Sequence, residues 1–130
     1  MQKVTPFLMF EGKAEEAMSF YTSIFEQSQI ISIARYVPGE PGTEGTVKKA
    51  VFTLNNQEFI CIDSNISHGF TFTPAMSLFV KCNTDNEVDH LYEELSEGGT
   101  VMMPLNTYPF SKKFGWVTDK YGVSWQLTLE

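Results

Sequence analysis

Two stretches of the chain repeat their apolar positions with helical spacing. In GKAEEAMSFYTSIFE, Ala14, Ala17, Met18, Tyr21 and Phe25 form one stripe. In TDNEVDHLYEELSEGG, Val88, Leu91, Tyr92 and Leu95 do the same. Thr84 with Glu87 three residues on predicts a capping box, and Gly98-Gly99 a left-handed stop. The remaining apolar runs are short and extended. Val4–Phe10 precedes the first helix and Met76–Cys82 the second. Three runs follow each helix: QIISIARY, VKKAVFTL and EFICID after the first, TVMMPL, FGWVT and VSWQLTL after the second. Turns are expected at Asn55-Asn56-Gln57 and at Asp119–Gly122, and an exposed excursion at Val37–Gly45. The order strand, helix, three strands therefore occurs twice. A first module is expected over 1–63, a linker over 64–74 and a second module over 75–130. One half alone has too little core to be stable, so the expectation is one α+β domain of 130 residues.

Composition narrows the class. A formal charge of −7 and a pI near 4.8 argue against nucleic acid and against anionic membrane surfaces. No apolar run reaches the roughly 18 residues that a spanning helix needs, and VTPFLMF meets Glu11 at once, reading as a strand rather than a signal peptide. Cys61 and Cys82 lack metal-binding spacing and read as reduced, buried thiols of a cytoplasmic protein.

The doubled βαβββ order, with TPFLMFEGKAEEAMSFYTSIF, SEGGTV and FGWVTDKYGVSWQL, resembles the vicinal-oxygen-chelate superfamily. That superfamily includes glyoxalase I, bleomycin-resistance proteins and extradiol dioxygenases. The likeness extends over essentially the whole chain and is greatest to the PhnB-like branch, often labelled 3-demethylubiquinone-9 3-methyltransferase. The resemblance implies curved mixed sheets forming a cup, helices outside, and a homodimer, for which open sheet edges supply a physical motive. It also implies, in metal-dependent members, four ligands on the concave face. The sequence contains no Gly-rich turn after a strand of the kind that cradles adenosyl cofactors in Rossmann-type methyltransferases.

Strand alternation assigns residues to the cup. In the first strand Thr5, Phe7 and Met9 are expected inside, with Pro6, Leu8 and Phe10 against the helix. In EFICID, Phe59, Cys61 and Asp63 are expected inside and Ile60 and Ile62 outside. Ser77 and Phe79 face the cup from the fifth strand, whose Met76, Leu78 and Val80 face the helix. In the last strand Gln126 faces the cup between helix-facing Trp125 and Leu127. The positions matching the family's ligands are thus Thr5, Cys61, Ser77 and Gln126, a set of two hydroxyls, an amide and a single thiol that suits no divalent cation. The expectation is no metal and no cofactor.

Two readings of Gln126 stay open: its amide satisfies neighbours such as Ser77 or Ser124, or it orients a small ligand in a cup lined by Phe7, Phe59 and Phe79. Arg35 reads either as an edge residue with its stem on apolar surface or as a clamp for an anionic group. Cys61 lacks an adjacent His or Lys to stabilise a thiolate, which favours an inert core thiol over a nucleophile. No catalytic residue is assigned. Three functions follow: a metal-independent small-molecule binding protein; a metal-dependent lyase, isomerase or dioxygenase at a non-standard site; and a protein whose cup is filled by its own side chains, retained for partner interaction.

Overall fold

The computed structural model describes residues 2–130. The chain divides into two compact units, Met1–Phe70 and Thr71–Glu130. Each has one helix and one four-stranded mixed sheet, built in the same order.

In the first unit the elements are β1 (Phe7–Phe10), α1 (Ala14–Ile24), β2 (Gln29–Arg35), β3 (Val47–Leu54) and β4 (Gln57–Asp63). The sheet order is β1-β4-β3-β2, with β1 parallel to β4 and the other pairs antiparallel. Helix α1 buries Ala14, Ala17, Met18 and Tyr21 of the expected stripe, while Phe25 is its half-buried C-cap; the stripe packs against a sheet face that contributes Leu8, Phe10, Ala50, Phe52, Phe59 and Cys61. Tyr21 stacks on Phe52, which stacks on Phe59 with ring centroids 5.2 Å apart. The β3–β4 turn is two residues long. Asn55 and Asn56 both hold positive φ (49° and 68°), the primed geometry that matches strand twist.

The second unit repeats the plan with β5 (Leu78–Cys82), α2 (Asp85–Ser96), β6 (Thr100–Tyr108), β7 (Ser111–Thr118) and β8 (Ser124–Leu129). The order is β5-β8-β7-β6, again with one parallel pair, β5 with β8. The expected cap at α2 is present. Thr84 Oγ1 accepts from the Glu87 amide at 3.1 Å, while Glu87 Oε1 accepts from the Asn83 amide, one residue before the N-cap. Gly98 supplies the left-handed stop at φ +75°. Val88, Leu91 and Leu95 pack on Trp125, Leu127 and Val117.

Some strand bounds differ from expectation. Strand β1 begins at Phe7 and β5 at Leu78, so Thr5 lies ahead of its strand, and Met76 is 69% exposed instead of packing on α2. Strand β6 runs on to Tyr108, where Tyr108, Phe110 and Phe114 form an aromatic cluster at the hairpin tip.

Candidate functional site

Each sheet has one face against its helix and one face turned away, and strand register decides which residues lie on which. On the first sheet Leu8 pairs with Cys61 and Phe10 with Asp63. Leu8 and Phe10 are buried on the helix side, so Cys61 and Asp63 lie there too. Phe59 joins them through its pairing with Phe52. The expected phase of β4 is therefore reversed, and Phe59, Cys61 and Asp63 do not face away from α1. Each alternating set of EFICID holds two apolar residues and one carboxylate, so periodicity within the strand does not choose between them; the neighbour β1 does. The residues turned away from the helix are Ile60 and Ile62, beside Phe7 and Met9.

The contacts of these residues explain their positions. Cys61 Sγ lies 4.0 Å from Met18 Sδ of α1, and no part of Cys61 is exposed. Burial, reinforced by the Asp63 charge, pushes its thiol pKa up to about 12. Asp63 accepts three backbone hydrogen bonds, from Gly12 (2.8 Å), Ala14 (2.9 Å) and Val47 (2.9 Å). The N-cap residue Lys13 makes no side-chain cap, and Asp63 satisfies the start of α1 in its place.

Arg35 is also engaged on the helix side. Its Nε and Nη2 donate to the Glu15 carboxylate of α1 at 3.2 and 2.6 Å. The clamp that Arg35 offers is closed on the protein's own acid, which lowers the Glu15 pKa through the hydrogen bond and raises that of Arg35. A bulge between Ala34 and Arg35 shifts the register there.

On the second sheet Phe79, Gln126 and Trp116 stand in one row, each in register with the next across β5, β8 and β7. Phe79 is 56% exposed, and Gln126 and Trp116 are half-buried. Helix-side neighbours Trp125 and Leu127 are buried, so this row faces away from α2. Ser77 joins it from just ahead of β5. Gln126 Nε2 donates to Ser77 Oγ at 3.2 Å, Ser77 Oγ lies 2.6 Å from Ser124 Oγ, and Trp116 Nε1 donates to Ser124 Oγ at 2.8 Å. Gln126 Oε1 has no hydrogen-bond donor among the described residues. Ser77, Phe79 and Gln126 thus lie together. Thr5 and Phe7 belong to the first unit, with Thr5 half-buried and Phe7 56% exposed.

Trp116 was not among the sequence candidates. The signal for it was available, since the Asp119–Gly122 turn sets Thr118 against Ser124 and therefore Trp116 against Gln126.

These residues do not fit a divalent cation. Thr5 and Ser77 offer neutral hydroxyls and Gln126 a carboxamide, while Cys61 points at α1 with its thiol protonated. Among the described residues no three His, Cys, Asp or Glu side chains are grouped so as to hold a metal ion.

The state of the two thiols is directly testable. Cys82 is fully buried, and burial, with the nearby Glu87 charge, pushes its pKa to about 12 as well. Native protein at pH 8 is expected to leave both thiols unreactive toward a disulfide reagent until denaturant is added. A folded-state thiol pKa above the unfolded value means that the unfolded chain loses protons first. Stability is therefore full below about pH 9 and falls as pH rises toward about 12, which urea midpoints across that range will report.

Comparison with known proteins places this architecture. The family model described as 3-demethylubiquinone-9 3-methyltransferase matches residues 2–128. A PhnB protein from Bacillus cereus is 66% identical, with 99% of this chain and 100% of that chain covered and a TM-score of 0.97. Protein PA1353 from Pseudomonas aeruginosa shares the fold at 22% identity, with coverage of 100% and 98% and a TM-score of 0.81. The glyoxylase/bleomycin resistance protein/dioxygenase domain from Frankia sp. EAN1pec shares it at 15% identity, with coverage of 99% and 92% and a TM-score of 0.67. No curated protein matches the sequence. No helix is long and apolar enough to cross a membrane. With the vicinal-oxygen-chelate fold in both architecture and neighbours, the chain belongs to the PhnB-like, 3-demethylubiquinone-9 3-methyltransferase domain family.

Proposed function

We propose that the protein is a metal-independent small-molecule binding protein of the PhnB-like type, with its ligand held on the sheet face turned away from the helix. The observation that carries this reading is the row Phe79–Gln126–Trp116. Two rings flank one amide whose oxygen has no donor among the described residues, the mix of apolar surface and sparse polar groups found in ligand sites. Ser77 belongs to this site, and Thr5 and Phe7 are proposed as ligand contacts of the first unit taken by itself. Arg35, Phe59, Cys61 and Asp63 have structural partners and are left out of it.

The reading assigns no methyl transfer, although the family description names that activity. Each sheet has a single parallel pair, whereas common adenosyl-dependent enzymes use a doubly wound parallel sheet with a Gly-rich first turn. Pairing of two copies belongs to the same proposal. Strand β2 ends its sheet with Ile30 and Ile31 exposed, and sedimentation is expected to report about twice the 14.7 kDa chain mass.

The test is thermal denaturation with a panel of neutral ring compounds. Binders are expected to raise the midpoint of the wild-type protein by a few degrees, since ligand at a hundredfold excess over its dissociation constant adds about 2.7 kcal/mol. Gln126→Leu, which leaves the helix-side core untouched, is expected to lose that response. A stoichiometric transition metal in protein purified without chelator would overturn the metal-independent reading.

A further inference from the structure

The hydrogen bonds around Gln126 run in one direction, and that direction defines what the face can recognise. An indole N–H can only donate, so Ser124 Oγ accepts from Trp116. Ser124 is 2% exposed, and its other partner within reach is Ser77 Oγ at 2.6 Å. If Ser77 donated to Ser124, the Ser124 proton would be buried without an acceptor, a costly arrangement. Ser124 therefore donates to Ser77. Ser77 Oγ also accepts from Gln126 Nε2. Both of its lone pairs are then used, and its own proton is left over with no acceptor among the described residues.

The face thus presents a hydroxyl donor at Ser77 beside a carbonyl acceptor at Gln126 Oε1, between the Phe79 and Trp116 rings. We infer that it selects a neutral planar ring carrying an N–H next to a carbonyl, a cyclic amide edge, with the ligand N–H donating to Gln126 Oε1 and its carbonyl accepting from the Ser77 hydroxyl. This rests on the binding role proposed above for the same face. A carboxylate fits poorly, because it would set an acceptor against the Gln126 oxygen, and a hydrocarbon ring would leave both groups unpaired. Lys81, two residues beyond Phe79, is paired with Glu130 at 3.9 Å.

The experiment titrates 15N-labelled protein with 2-pyridone, N-methyl-2-pyridone, benzoate and toluene, following the Gln126 side-chain amide and the Trp116 indole resonance. The expected result is that 2-pyridone shifts both and that N-methyl-2-pyridone binds about tenfold more weakly or worse. That gap should vanish in Gln126→Met. If the two pyridones bind equally, or benzoate binds tighter, the inference fails while the binding role survives. If no neutral ring moves either resonance, the binding role fails too. The wild-type ratio decides the matter by itself should Gln126→Met not fold.

Discussion

Replacing Asp63 with Ala is expected to destabilise the protein by about 3–5 kcal/mol, a large part of the roughly 5–15 kcal/mol that holds a domain together. The carboxylate accepts from the amides of Gly12, Ala14 and Val47, and the substitution leaves all three donors unsatisfied. Those amides belong to the loop before α1, the first residue of α1 and the first residue of β3. One side chain at the end of β4 thus ties its strand to the start of α1 and to the start of β3. Asp63→Asn is expected to fall between Ala and the native residue, because its amide keeps one acceptor and turns the other into a donor facing an N–H. Urea denaturation of the three proteins gives the comparison. A midpoint for Asp63→Ala within error of the wild type would show that water replaces the carboxylate without cost.

Gly99→Ala is expected to have an effect of similar size for a steric reason. A Cβ at this position would lie 2.1 Å from the Thr118 carbonyl oxygen and about 3 Å from Asp119 backbone atoms. Thr100 is paired with Thr118, so neither backbone can retreat without opening the start of the β6–β7 ladder. The expected loss is about 3 kcal/mol or more, at the upper end for overpacking because backbone instead of a side chain must yield. Gly98→Ala makes a useful contrast. Its Cβ would meet only the Lys120 side chain at 3.4 Å, and its cost comes from the left-handed backbone at φ +75°. Gly98→Asn, which tolerates that region, should recover much of the loss, whereas no side chain at position 99 should.

The sequence carried the elements and the order of strand, helix and three strands because each is a local pattern. The stripes on α1 and α2, the Thr84 cap and the paired turn residues Asn55 and Asn56 all act within a few positions. The candidate site was legible where one alternating set was clearly polar. Gln126 between Trp125 and Leu127 could face only away from the helix, and it does. It was not legible in β4, where Phe59 and Cys61 compete with the equally apolar Ile60 and Ile62. Nothing local separates them; the pairing of Leu8 with Cys61 does, and that is a long-range fact. Asp63 misled for a related reason. A carboxylate at a strand end suggests an open rim, yet it serves here as the missing cap of a helix whose own N-cap is a lysine. Arg35 sits after a bulge, and its partner Glu15 comes from α1, which lies outside the strand pattern.

The parallel strands have a consequence for the order of assembly. Strands β2, β3 and β4, and likewise β6, β7 and β8, are successive antiparallel neighbours that a growing chain can zip through connections far shorter than the loops that close β1 and β5. β1 and β5 must instead wait for partners that arrive at the far end of their unit, Phe7 for Ile60 and Leu78 for Trp125. Contacts that close such long loops form late. Phe79 rides on the waiting strand β5, so on the proposed binding face its ring joins Trp116, already set on β7, only after the second meander has committed to its shape.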